Sequence, residues 1–187
     1  MSGGRRVNFQ FCGFGGQGLV LSATVLGTAA VRAGLNGVQT QSYGSEARGG
    51  ECQAELSIAE GALRSPSPDQ VDVLIAMSQA AYDRYAKRLR PGGVLLVDPQ
   101  FVATPSRSDV QVVAVPVTQV ATEQFGMPIV ANMVLLGFLR QATGIVPEDA
   151  LNHAIRDSVP EKFVETNLRA AACGKALAVE RNRVVEV

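Results

Sequence analysis

The chain has 187 residues, of which 47% are hydrophobic and 18% are charged, and its formal net charge is zero. This length suits one domain, spanning residues 1–187, with a substantial core. A zero net charge gives no electrostatic basis for binding nucleic acid or an anionic membrane surface. The low charged fraction indicates either a sheet that is buried on both faces or apolar surface that partner chains cover.

The sequence also argues against a membrane anchor and a metal centre. No run of 18 apolar residues occurs, and Arg5 and Arg6 precede polar residues rather than an apolar signal segment. The three cysteines, Cys12, Cys52 and Cys173, form no Cys-x-x-Cys pair, so we expect no iron–sulfur cluster or zinc in this chain. A small, odd number of cysteines is typical of proteins in a reducing cytoplasm, where we expect this chain to be. We expect Cys12 and Cys52 to be core residues.

Strand and helix patterns alternate along the chain. Strands are predicted at 7–12, 38–43, 52–58, 71–77, 94–97 and 110–115. Helices are predicted at 17–33, 79–89, 118–125, 129–143, 148–158 and 161–180, and Pro91-Gly92-Gly93 is expected to close the second of them. This order is typical of a three-layer α/β/α fold. The strand at 52–58 alternates polar and apolar residues, which predicts a mostly parallel but mixed central sheet.

A glycine-rich loop, Gly13-Phe14-Gly15-Gly16-Gln17-Gly18, joins the first strand to the first helix. The free N–H groups and the dipole at a helix start can bind an anion. The same glycines also suit a tight turn that binds nothing, and both interpretations stay open. A NAD site would need Asp or Glu near the end of the second strand, where this chain has Gln39, Gln41 and Ser42. A P-loop sequence is absent.

A second glycine loop follows the second strand and contains Glu46 and Arg48. Arg48 can hold a carboxylate or phosphate through two hydrogen bonds, and arginine and tyrosine are common anchors at protein interfaces. The alternative is that Glu46 and Arg48 bond locally and only shape the loop. Loops that follow parallel strands meet at one sheet edge, so we expect a joint ligand or subunit contact site. Its expected residues are Gly13, Gly15, Gly16, Gln17, Gly18, Tyr43, Gly44, Glu46, Arg48, Gly49 and Gly50.

Other polar residues have structural interpretations. Asp98 directly follows a strand, where a catalytic aspartate is possible in principle but a cap on the turn with Pro99 is favoured. Asn132 lies in an apolar helix and is expected to tie that helix to loop backbone. His153 has no Ser or Cys motif beside it. No catalytic residue is therefore assigned.

The two loops together resemble the gamma subunit of 2-oxoacid:ferredoxin oxidoreductases. The resemblance continues through Val71–Met77, Pro91-Gly92-Gly93 leading to Asp98, Ala131-Asn132-Met133 and Lys162–Asn167, and it spans about Val7 to Lys175. Ser45 stands where the family often has proline, and Glu51 and Cys52 replace small or hydroxyl residues. These departures lie at the rim of the second loop.

The resemblance implies a non-redox subunit of a heteromeric enzyme that is inactive alone. The family decarboxylates a 2-oxoacid on thiamine diphosphate, passes electrons through [4Fe-4S] clusters to ferredoxin, and transfers the acyl group to coenzyme A. These groups are expected in a complex with alpha and beta subunits, and a delta subunit where one is present, with none on this chain alone. The resemblance favours 2-oxoglutarate, followed by pyruvate or a branched-chain 2-oxoacid. A nucleotide-binding dehydrogenase-like enzyme and a scaffold without ligand contact remain alternatives.

Overall fold

The computed structural model describes residues 5–43, 50–63, 68–103 and 107–181. The strands are β1 (Arg6–Phe14), β2 (Asn36–Tyr43), β3 (Glu51–Ala59), β4 (Val71–Ala76), β5 (Leu89–Val97) and β6 (Gln111–Ala114). The α-helices are α1 (Leu19–Arg32), α2 (Gln79–Tyr85), α3 (Val117–Phe125), α4 (Ala131–Thr143), α5 (Glu148–Ser158) and α6 (Glu161–Glu180). Short 3₁₀ turns at Ala86–Arg88 and Pro128–Val130 precede β5 and α4.

The six strands form one sheet in the order β2-β3-β1-β4-β5-β6. β1, β4, β5 and β6 pair in parallel, whereas β3 is antiparallel to both β1 and β2. α2 lies in the crossover between the parallel strands β4 and β5, while the direct connection from β2 to β3 produces an antiparallel pair. The predicted mixed, mostly parallel sheet is confirmed. Because β3 lies between β1 and β2, β2 becomes an edge strand.

The two faces of the sheet are covered unequally. Phe9 and Phe11 of β1 point into the larger core, which contains residues of α1, α3, α4, α5 and α6. Side chains alternate along a strand, so Cys12 points to the opposite face, where Tyr82 and Tyr85 of α2 cover it. The predicted helices on both faces are confirmed, with one short α-helix on the second face among the described residues.

The predicted boundary between the second helix and the fifth strand is wrong. Helix α2 ends at Tyr85 instead of residue 89, and Pro91-Gly92-Gly93 lies inside β5 rather than closing the helix. The register of β4 against β5 shifts between Val71 and Val73, beside these residues. A bulge of this kind tolerates proline and glycine within a strand. The helix predicted over 129–143 also begins later than expected: Pro128–Val130 form a 3₁₀ turn, and α4 begins at Ala131.

Helices α4 and α6 approach each other backbone to backbone. A Cβ at Gly137 would lie 1.9 Å from the carbonyl oxygen of Ala171, and one at Gly174 would lie 1.9 Å from that of Val134. Each helix therefore needs glycine where it crosses the other. Within the described ranges, no helix is both long and apolar enough to cross a membrane.

Candidate functional site

The two glycine loops are joined at their bases. The backbone N–H of Gly15 donates to the carbonyl oxygen of Gly50 (2.9 Å). This bond extends the β1–β3 pairing by one residue beyond Phe14 and Glu51. Since β1 and β2 both run antiparallel to β3, both loops leave the same edge of the sheet. The expected proximity of the loops is thus confirmed at the Gly15–Gly50 contact.

The structure describes the second loop only at its ends, at the backbone of Tyr43 and at Gly50. Gly44, Glu46, Arg48 and Gly49 lie outside the described residues, as does the side chain of Tyr43. The two interpretations of Glu46 and Arg48, a clamp or a local scaffold, both stay predictions.

Gln17 fastens the first loop to the neighbouring strand. Its Oε1 accepts a hydrogen bond from the backbone N–H of Phe14 (2.7 Å), and its Nε2 donates to the carbonyl oxygen of Met77 (2.9 Å). A Cβ at Gly13 would lie 2.3 Å from Gln17 Oε1. Gly13 therefore makes room for the side chain that joins the end of β1 to the end of β4.

Gly16 and Gly18 have left-handed backbone conformations, with φ of 95° and 72°. Gly18 is also the N-cap of α1, and a Cβ there would lie 2.4 Å from Asn132 Nδ2. Asn132 Nδ2 donates a long hydrogen bond to the carbonyl oxygen of Gly18 (3.5 Å), which confirms that Asn132 ties α4 to the loop. Asn132 Oδ1 is buried and has no hydrogen-bond partner among the described residues.

A cleft of about 320 Å³ opens beside this loop. Its lining residues come from the starts of α1, α3 and α4 and from the loops after β4 and β5: Gly16, Gln17, Met77, Phe101, Thr118, Pro128, Ile129 and Ala131. These residues carry no charged side chain. Helix α1 has no side-chain N-cap and no acidic residue in its first turn. The start of α1, where the helix dipole is positive, and the Gln17 and Thr118 side chains therefore give the cleft its polarity.

Asp98 lies near this edge but has a structural role. It is fully buried; Oδ1 accepts from the N–H of Gln100 (3.0 Å) and Oδ2 accepts from the N–H of Thr118 (2.9 Å). Both carboxylate oxygens thus fix the turns that lead into the cleft, as the capping interpretation predicted. His153 lies on α5, exposed, with Nδ1 bonded to the carbonyl oxygen of Asp149 (2.9 Å).

The cysteines do not form a reactive centre. Cys12 and Cys52 are buried, as predicted, and burial raises the pKa of both thiols. Their thiolate forms are scarce at neutral pH, which makes them poor nucleophiles and poor metal ligands. No metal-binding group of His, Cys, Asp or Glu is present in the part of the chain that the structure describes.

The geometry does not fit a dinucleotide site. In such a site the acidic residue that binds the ribose follows the strand next to β1. Here β3 separates β2 from β1, which places the end of β2 about 10 Å from β1 at ordinary strand spacing. Because β2 ends in polar, uncharged residues and does not lie next to β1, it does not provide the ribose-binding position that the dehydrogenase-like alternative requires.

Two exposed apolar residues, Phe101 and Ile129, line the cleft and form its apolar rim, which sequence reasoning missed. They are 37% and 57% exposed. Single exposed hydrophobic residues are common, but two at one cleft are typical of a surface that another chain covers. The available signal was Phe101 and Ile129 themselves, large apolar residues in loops that follow Pro99 and Pro128.

Comparisons with known proteins point to one family. A sequence model of the pyruvate ferredoxin/flavodoxin oxidoreductase family matches residues 8–177. The chain is 44% identical over 185 residues to the 2-oxoglutarate synthase subunit KorC of Methanothermobacter thermautotrophicus, covering 95% of this chain and 98% of that protein. The solved keto/oxoacid ferredoxin oxidoreductase gamma subunit of Geobacter sulfurreducens is 39% identical, with a TM-score of 0.82 and coverage of 93% and 99%.

A structure of 2-oxoglutarate:ferredoxin oxidoreductase from Magnetococcus marinus, with 2-oxoglutarate, coenzyme A and succinyl-CoA bound, has a TM-score of 0.86 at 26% identity. The match covers 94% of this chain and 31% of that longer chain, so the same fold there forms part of a larger polypeptide. From the family match and the near full-length likeness to a gamma subunit, the chain belongs to the pyruvate ferredoxin/flavodoxin oxidoreductase family.

Proposed function

We propose that this chain is the gamma subunit of a 2-oxoacid:ferredoxin oxidoreductase and that 2-oxoglutarate is the substrate of the assembled enzyme. The observation that carries the proposal is the 44% identity to a 2-oxoglutarate synthase subunit over nearly the whole of both chains. In this assignment alpha and beta subunits complete the enzyme, and ferredoxin receives the electrons.

The chain's own residues do not fit the redox groups of such an enzyme. A [4Fe-4S] cluster needs four thiolate ligands, whereas this chain has three cysteines, of which Cys12 and Cys52 are buried on different strands. Among the described residues that line the cleft, no charged side chain could hold a diphosphate or a divalent metal. Thiamine diphosphate and the clusters therefore belong to the partner subunits in this proposal.

The role of the glycine-loop edge is to meet those partners and to shape the access of coenzyme A. A volume of about 320 Å³ is at the low end of small-molecule sites, so the cleft alone encloses only part of a molecule as large as coenzyme A. The start of α1, which has no acidic side chain in its first turn, suits an anionic or carbonyl group. Its exposed apolar rim suits a protein surface that closes the remainder of the site.

Reconstitution with the alpha and beta subunits tests the assignment. The complete complex should reduce ferredoxin or a viologen dye when given 2-oxoglutarate and coenzyme A, and it should do so faster than with pyruvate or a branched-chain 2-oxoacid. The complex prepared without this chain is the control. Equal turnover with and without this chain would show that it is not a subunit of the enzyme. A preference for another 2-oxoacid would show that the substrate assignment is wrong.

The isolated chain should be colourless and silent in the same assay. The reason is that its three cysteines cannot complete a cluster. An absorption spectrum of anaerobically purified protein and the single-chain assay check this. Visible cluster absorbance, or turnover by the chain alone, contradicts the proposal of a non-redox subunit.

The apolar rim gives a direct test of the docking role. Ile129→Asp should weaken assembly with the partner subunits, because it places a charge in the surface that they cover. Val179→Asp is the matched control, since Val179 on α6 is 59% exposed and Ile129 is 57% exposed. Both variants should keep the thermal stability of the lone chain, and only the first should lose co-purification. Equal retention of partners by both variants would overturn the docking role.

A further inference from the structure

The edge strand β2 lacks the features that usually protect a sheet edge. It is paired with β3 from Asn36 to Tyr43 without a register shift, and its sequence, Asn-Gly-Val-Gln-Thr-Gln-Ser-Tyr, contains no charged residue and no proline. In proteins whose edges stay free, charges, prolines, bulges or short length prevent another strand from pairing. β2 therefore has a straight, uncharged outer edge about 27 Å long at 3.4 Å per residue.

The other edge of the same sheet is protected. β6 has four residues, from Gln111 to Ala114, and Arg181 Nη1 of the C-terminal helix region donates a hydrogen bond to the carbonyl oxygen of Ala114 (2.6 Å). Pro116 follows it and cannot donate to a further strand. The contrast indicates that β2 is covered by something outside the described chain.

The sequence of β2 is complementary to itself. If two copies pair antiparallel about Thr40, Thr40 lies opposite Thr40, Gln39 lies opposite Gln41, and Val38 lies opposite Ser42. Hydroxyl pairs and amide pairs of this kind stabilise neighbouring strands, and no like charges meet. We propose that β2 is the interface between two copies of this chain, which join their sheets into one antiparallel-paired sheet with two-fold symmetry.

The helix beside the edge fits this arrangement. α1 packs over β2 and β3, and a groove between α1 and β2 is lined by Thr24, Thr28 and Val31 together with Gly37 and Gln39, and by Arg32, whose charge is paired with Asp157. Val31 is 59% exposed. Pairing of the two β2 strands brings the α1 helices side by side on the same face, about 10 Å apart, where these small and apolar side chains pack. The dimer thus covers Val31 as well as the strand edge.

The mass of the isolated full chain in solution tests the proposal. Sedimentation or light scattering at high micromolar concentration should give twice the 19.7 kDa chain mass. Thr40→Lys should halve that mass, because it places two lysines opposite each other at the symmetry axis. Within one copy the new lysine lies across from Glu55 on β3, so the fold is retained. Gln111→Lys adds the same charge to the other edge and should leave the dimer intact.

Cross-linking tests the register independently of the lysine variant. In a Cys173→Ser background, Thr40→Cys should form a disulfide-linked dimer on oxidation, because opposed residues have Cα atoms about 4.5–5.5 Å apart, within disulfide range. Gln41→Cys should not, since the proposed register separates its two copies by more than about 7 Å. A monomeric native chain, a dimeric Thr40→Lys variant, or equal cross-linking at both positions would overturn the proposal.

Discussion

Gly18 and Asn132 form an energetically coupled pair at the base of the cleft, and this coupling can be measured. Gly18→Ala adds a Cβ at φ 72°, where an L-residue costs about 1–2 kcal/mol. The new atom also lies 2.4 Å from Asn132 Nδ2, so the Asn132 side chain must leave its rotamer, at a cost of about 0.5–1.5 kcal/mol. The free energy of unfolding should therefore fall by about 2–3 kcal/mol, and Tm by roughly 4–12 °C.

Removing the Asn132 amide should relieve the second part of this cost. Asn132→Ala deletes the atoms that the new Cβ would strike, together with the buried, unpartnered Oδ1, so alone it should cost less than about 1 kcal/mol. Combined with Gly18→Ala, the loss should be about 1 kcal/mol smaller than the sum of the single changes.

Gly16→Ala is the matched control for this cycle. Gly16 has φ 95° but no atom within 4 Å of its Cβ position. Its substitution should cost backbone strain alone, with no coupling to Asn132. Urea unfolding of the three single variants, the two double variants that contain Asn132→Ala, and the native chain measures these energies. Additivity of Gly18→Ala with Asn132→Ala, within about 0.5 kcal/mol, would refute the steric explanation.

Three further outcomes are expected, of which the third comes from the sequence alone. Gly137→Ala should lower the free energy of unfolding by about 3 kcal/mol or more, because its Cβ would lie 1.9 Å from the Ala171 carbonyl oxygen. The comparison is Ala176→Gly on the exposed side of α6, which should lower it by only about 1 kcal/mol. A thiol reagent at neutral pH should modify Cys173 and leave Cys12 and Cys52 unmodified until the chain unfolds, since burial raises the pKa of both thiols; fast reaction of all three in native protein would contradict this. Arg48→Ala should leave the Tm of the isolated chain nearly unchanged but weaken assembly or raise the KM for coenzyme A. A large drop in Tm with unaltered activity would instead show that Glu46 and Arg48 only shape the loop.

Local signals predicted the C-terminal helices without error. α5 and α6 begin at residues 148 and 161, as predicted, because Pro147 and Pro160 precede them and Glu148 and Glu161 open their first turns. Proline cannot continue a preceding helix, and acidic side chains stabilise a helix start. The residues that determine these helix starts lie within a few positions of them, so the starts can be predicted from the local sequence.

The error at residues 79–97 has a non-local cause. Leu89 belongs to β5 because it pairs with Val71 of β4, and the chain then bulges at the glycines before pairing resumes at Val73 and Val94. Arg90 Nε donates to Asp72 Oδ1 (2.6 Å), which holds the bulged segment against β4. None of these contacts is visible in the local pattern, where proline and two glycines predict a turn.

The site was predictable only in part for the same reason. The glycine pattern indicated a constrained loop, and the order of the strands placed both loops at one edge. The cleft, however, needs Phe101 from the loop after β5 and Ile129 from the turn before α4. These residues come together with Gly16 only once the strand order is known, so their exposure could not be derived from their sequence neighbours.

The two proposed contact surfaces are geometrically independent, and this allows each to be tested without the other. The glycine-loop cleft lies at the carboxyl ends of β1 and β4, whereas the β2 edge runs along the side of the sheet. Antiparallel pairing about Thr40 points the two clefts toward opposite ends of the dimer, so both stay open to partner subunits. Thr40→Lys should therefore halve the mass of the isolated chain and leave its binding to partner subunits intact. Ile129→Asp should do the reverse. A single variant that abolishes both associations would show that the two surfaces are one interface.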